Sequence, residues 1–139
     1  MRALTLTLLL VLGACTGEMQ PPLVATDVIV TAPMPGNGMS AAYLSLTNNT
    51  AGPIRITTVT SPDYGSVEIH ESSLESGVSK MRRIDILEIP AQSSATLTRG
   101  GKHLMLMRSQ TDDAEVSLHF YNGDTLLLTV VAEIQQREN

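Results

Sequence analysis

A single cysteine, Cys15, stands in 139 residues, so no disulfide forms within the chain and no zinc–thiolate cluster is built from it. Its place near the N-terminus leaves the rest of the chain without thiol chemistry. A cysteine nucleophile and a cysteine-ligated blue-copper centre are both excluded there. Aromatic residues make up 3% of the sequence and tryptophan is absent, which assigns the core to Val, Leu and Ile. Positive charge is scarce. Nine Lys and Arg against fourteen Asp and Glu leave a net charge of −5, the wrong sign for a nucleic-acid partner. Hydrophobic residues at 42% and charged residues at 17% belong to a folded chain, and the length suits one domain. Long helical patterns are missing as well.

What is present begins with an export signal. Arg2 is a minimal positive start, and Ala3 to Leu12 is an apolar run too short to span a bilayer. It leads into Leu12-Gly13-Ala14-Cys15, which resembles the bacterial lipobox. That resemblance implies cleavage after residue 14 and a diacylglyceryl group on the sulfur of Cys15. Residues 15–22, small, polar or proline, would then tether a domain spanning 23–139 to a membrane of the bacterial cell envelope, without a transmembrane helix.

Beyond the tether the chain reads as short strands separated by turn residues. The expected strands are Leu23 to Thr31, Ala41 to Thr47, Ile54 to Val59, Val67 to Glu71, Lys80 to Leu87, Ala95 to Leu97, His103 to Arg108, Glu115 to Tyr121 and Thr125 to Ile134. Val116, Leu118 and Phe120 alternate with polar residues, and Asn122-Gly123 precedes another apolar run, a strong hairpin signal. Such spacing predicts an all-β sandwich or barrel.

Chemistry concentrates in His103-Leu104-Met105-Leu106-Met107. On a strand, residues two apart share a face, so the leucines suit a core while His103, Met105 and Met107 point the other way. A second half is offered by His70 and Met81. A hairpin centred near Glu75 and Ser76 would set them directly opposite each other, with Cβ atoms ~5 Å apart. Two imidazoles and two thioethers, with no anionic ligand, favour copper(I) over zinc, magnesium or calcium. Met107 reads as packing and His119 as a surface histidine. From the residues alone, three classes stay open: a metal carrier, a copper enzyme, and a structural surface domain whose His and Met are incidental. No nucleophile motif or His-rich copper(II) site supports the enzyme.

The spacing of His70, ten residues, Met81, twenty-one residues, His103, one residue, Met105 is similar to the signature of the periplasmic copper chaperones of the PCuAC type. So are the flanking words His70-Glu71, Lys80-Met81-Arg82, Leu87-Glu88-Ile89-Pro90-Ala91, Gly100-Gly101-Lys102 and Ala41 to Asn48. The resemblance runs from about Val24 to Ile134. It implies a cupredoxin-like (Greek-key) β-sandwich binding one Cu(I) per chain through His70, Met81, His103 and Met105. It further implies a carrier rather than an enzyme. Its copper acceptor would be the dinuclear-copper subunit of cytochrome oxidase, and a Sco-type thioredoxin-like protein a possible second partner. Copper storage or resistance would use the same four residues. Three positions depart from the pattern: Ser79 replaces a frequent Met, Arg83 a frequent proline and Lys102 a frequent aromatic. The tail Gln135 to Asn139 lacks the His- and Met-rich extension of some members.

Of the eight Lys and Arg after Cys15, six (Lys80, Arg82, Arg83, Arg99, Lys102 and Arg108) fall between positions 80 and 108, which predicts a basic rim around the site.

Overall fold

The computed structural model describes residues 20–136, so the export signal, Cys15 and most of the tether lie outside the described residues. Within them the chain forms eleven strands and no helix. In chain order these are β1 (Leu23–Thr31), β2 (Ser40–Asn48), β3 (Ile54–Ile56), β4 (Thr58–Thr60), β5 (Tyr64–Glu75) and β6 (Val78–Ile84). Then follow β7 (Leu87–Ile89), β8 (Ser93–Leu97), β9 (Lys102–Ser109), β10 (Glu115–Asn122) and β11 (Thr125–Gln135).

The main sheet runs in the order β4-β10-β11-β1-β2-β9-β5-β6, with β8 also paired to β2 and a separate β3–β7 pair. All pairings are antiparallel except β1 with β11. Strands β9 and β10 are separated along this path by β11, β1 and β2. Yet Leu104 and Leu106 of β9 and Leu118 and Phe120 of β10 are all at 0–1% exposure in one core. The sheet therefore closes over itself as a two-layered sandwich, with one inward side chain from every second position. Leu44, Leu46, Ile56, Ile89 and Val116 add to this core, whose buried hydrophobic residues are aliphatic apart from Phe120 and Tyr64.

Two expected strands divide. Ile54 to Val59 becomes β3 and β4, because the chain leaves β7 after Ile56 and joins β10, with the Thr57 N–H donating to the Tyr121 carbonyl at 2.9 Å. Lys80 to Leu87 becomes β6 and β7, which pair with different neighbours. The hairpin of β10 and β11 forms, but its loop is Gly123-Asp124, since Asn122 still pairs with Thr125. Asn48 is wholly buried at the end of β2. Its side-chain amide donates to the carbonyls of Gly52, Ile89 and Pro90, and its oxygen accepts from Thr50. This pins the end of β2 to the end of β7.

Candidate metal centre

Strand β9 lies between β2 and β5, and its alternation does what the sequence pattern implies. Leu104 and Leu106 are fully buried in the core, while His103, Met105 and Met107 take the opposite face. The register with β5 pairs His103 with His70, Met105 with Glu68 and Met107 with Ser66. Thus the two histidines are direct cross-strand partners, their ring centres 6.1 Å apart and their planes inclined by 63°. An ion about 2 Å from one nitrogen of each ring needs ring centres no more than roughly 6–6.5 Å apart, so the pair fits a shared ion. His103 is 5% exposed, flanked by the Tyr43 ring at 6.4 Å, over which Arg99 lies at 5.4 Å.

Met81 arrives differently from the expectation. The β5–β6 hairpin turns on Ser76-Gly77, both with positive φ (52° and 80°), the backbone of a two-residue primed turn. That turn pairs Glu75 with Val78, hence Ser72 with Met81 and His70 with Arg83. Met81 is therefore not opposite His70 but one diagonal step away on the same face, a separation of ~7–8 Å that a long side chain spans. Met105 is the diagonal neighbour of His70 on the other side, through β9. The register brings all four residues to one face: a histidine pair in the centre and a thioether to either side. Met81 is 53% exposed.

Two residues of this face were not singled out from the sequence. Glu68 stands two positions before His70, and its Oε2 accepts from His70 Nε2 at 2.9 Å, while its Oε1 meets Arg83 at 3.3 Å. The His70 hydrogen bond holds the Glu68 carboxyl below its usual range against the opposing effect of burial, and the Arg83 charge adds a smaller lowering. Tyr43 is the other. The period-2 rule could have found Glu68, since it shares the face of His70 by parity alone.

The six cations around position 80–108 form a mixed-charge border rather than a free basic rim. Arg82 and Lys102 both bind Glu71, Lys80 binds Glu75, and Arg83 reaches Glu68 and Asp85. Arg108 donates to the Gly65 carbonyl, and Arg99 covers Tyr43. The bonds from Arg82 and Lys102 lower the Glu71 pKa. Among the described residues no group of three or more His, Cys, Asp or Glu side chains comes together to hold a metal. A hard cation thus finds no carboxylate cage; the face offers two imidazoles and two thioethers, a donor set for a soft ion.

The LpqE-like lipoprotein family model matches residues 23–132. The chain is 31% identical over 96 residues to the "Putative lipoprotein Lxx21020" of Leifsonia xyli subsp. xyli, a stretch covering 65% of this chain and 58% of that protein. It therefore spans under two thirds of that relative's length. Among solved structures, the copper-bound PCuAC domain from PmoF2 superposes with a TM-score of 0.68 at 20% identity, covering 84% of this chain and 94% of that one. Apo-DR1885 from Deinococcus radiodurans superposes with a TM-score of 0.61 at 26% identity, covering 99% and 95%. The chain belongs to the LpqE-like family, and its fold is the cupredoxin-like β-sandwich of a PCuAC-type domain.

Proposed function

We propose that this protein is an exported copper(I) carrier, binding one ion per chain on His70, Met81, His103 and Met105. The observation that carries the reading is the cross-strand His70–His103 pair with a methionine at each diagonal, on a face otherwise without a cluster of hard ligands. Family membership and the likeness to a copper-bound domain support it. Copper here is cargo. A neutral N2S2 set holds the monovalent ion without thiolate charge, which lets a thiolate-bearing acceptor take it. We assign the acceptor to the dinuclear-copper subunit of cytochrome oxidase, with a Sco-type thioredoxin-like protein as a second partner. A lipid on Cys15 would keep the domain at the outer side of a bacterial membrane, as the lipoprotein family suggests. Membership of the LpqE-like family and the likeness to a copper-bound domain support a carrier rather than an enzyme.

Anaerobic copper(I) titration of the full-length protein against a chromophoric chelator tests the site. One equivalent should bind in the wild type, and His103→Ala should lose tight binding. An unaltered His103→Ala titration would overturn the assignment. A deletion strain tests the destination: oxidase activity should fall at low copper. Sensitivity to high copper with normal oxidase would instead assign storage or resistance.

A further inference from the structure

The two histidines of the face are held by different ring nitrogens, and the difference has a chemical consequence. His103 Nδ1 lies 3.1 Å from the Gly101 carbonyl oxygen. A carbonyl only accepts, so Nδ1 carries the proton and the free lone pair of His103 is on Nε2. At His70 the arrangement is inverted. Nε2 lies 2.9 Å from a carboxylate oxygen of Glu68, which again only accepts, so the proton is on Nε2. The remaining nitrogen, Nδ1, is buried and has no hydrogen-bond partner, the single such side-chain atom among the described residues. A buried nitrogen lone pair with no donor is costly unless something else fills it. Metal-bound histidines characteristically donate their second N–H to a carboxylate or a backbone carbonyl, which sets the tautomer and aims the ring. Gly101 and Glu68 are these two kinds of partner.

We infer that the copper site is asymmetric, with the ion on Nε2 of His103 and on Nδ1 of His70, and that Glu68 is the positioning residue that fixes His70 in the tautomer required. This rests on the copper-carrier reading above and adds to it the atom used and the residue that selects it. Arg83 in turn holds the other oxygen of Glu68, from the strand position directly across from His70. Glu68 is the cross-strand partner of Met105, so the carboxylate stands beside the thioether without taking its place. The carboxylate stays on the far nitrogen of His70 rather than on the ion, leaving the inner donor set neutral.

Long-range 1H–15N correlation spectra of the 15N-labelled full-length protein test this directly, before and after anaerobic addition of copper(I). The metal-free protein should show His70 protonated on Nε2 and His103 protonated on Nδ1. Loading should shift His70 Nδ1 and His103 Nε2. Glu68→Ala should let both His70 tautomers appear and weaken copper(I) about 10–100-fold, the usual cost of losing such a supporting partner. Glu68→Gln keeps the shape and an accepting oxygen and should restore the single tautomer and most of the affinity, whereas Glu68→Leu, which fills the space but accepts nothing, should behave like Glu68→Ala. A purely packing role would instead let Glu68→Leu keep the single tautomer and the affinity. Binding through Nε2 of His70 would overturn this inference and leave the carrier standing, because Glu68 would then have to leave on loading. A wild-type protein that takes up no copper(I) would overturn both.

Discussion

The two strands that flank β5 contribute to the same face under opposite conditions. Strand β9 is interior, hydrogen-bonded to β2 and β5, with Leu104 and Leu106 at 0% exposure and His103 at 5%. Strand β6 is the end of the sheet, and its residues from Val78 to Arg83 are all exposed. The interior strand carries a nitrogen and a sulfur donor in positions fixed by core packing; the edge strand carries only a sulfur. This division is physically sensible. An imidazole must be aimed and given the right tautomer, which takes a rigid strand and a hydrogen-bond partner. A thioether is neutral, unbranched and adaptable, and it works from a strand held less firmly. In the proposed copper(I) carrier, a cargo ion that leaves by exchange of one ligand at a time would be released first by Met81, the half-exposed donor on the edge strand.

The sharpest test of the contrast is stability. Leu104→Ala on β9 should cost about 2–5 kcal/mol, measured by denaturant unfolding, since it opens a cavity in the two-layered core. His103→Ala follows at about 1–3 kcal/mol, through the lost packing on Tyr43 and the lost bond to Gly101. Met81→Ala should change stability by no more than about 0.5 kcal/mol, because its side chain is half exposed on an edge strand. A Met81→Ala protein as destabilised as His103→Ala would erase the distinction between the strands.

Copper(I) binding should separate the same variants differently. His103→Ala should weaken affinity by about 100-fold or more, and Met81→Ala by roughly tenfold, each tenfold being about 1.4 kcal/mol. The Met81 loss should sit mainly in a faster release of the ion to a competing chelator, read by stopped flow, as most affinity changes at one site do. Slower release in Met81→Ala would place the exit elsewhere. Amide hydrogen exchange should rank the strands independently: β9 slow, β6 fast, with the Ser76-Gly77 turn fastest.

Much of this architecture was legible in the sequence, and the reasons are local. The alternation of His103 to Met107 told which side chains face the core, because burial of Leu104 and Leu106 fixes the parity of every neighbour. The boundaries of β1 were equally plain, since an apolar run is framed by Pro22 and Pro33. Register was not legible at the hairpin. A turn placed one residue earlier puts Met81 across from His70, whereas the positive φ of Ser76 and Gly77 fixes the turn there and moves Met81 to the diagonal. The split of β3 from β4 is marked in the sequence only by a one-residue slip in the alternation, from Ile54 and Ile56 to Val59, and at that slip Thr57 changes the pairing partner. Charge was the weakest guide. Lys80, Arg82 and Lys102 are basic in the sequence, but Glu71 and Glu75 come from β5 to meet them, and only the pairing of β5 with β6 and β9 shows that.

That carboxylate network gives the smallest expected effect, and its sign follows from the direction of the shift. Bonds from Arg82 and Lys102 depress the Glu71 pKa in the folded protein, so folding favours the ionised form. The stabilisation is therefore complete above the unfolded carboxyl value, ~4.3, and disappears as pH falls through the lower folded value. Because Glu71 and its partners are solvent-accessible, salt should weaken the effect further. The melting temperature of Glu71→Gln should lie slightly below wild type near neutral pH, and the two should converge in acid. A gap that stays constant across the carboxyl range would mean that Glu71 acts by packing and not by charge.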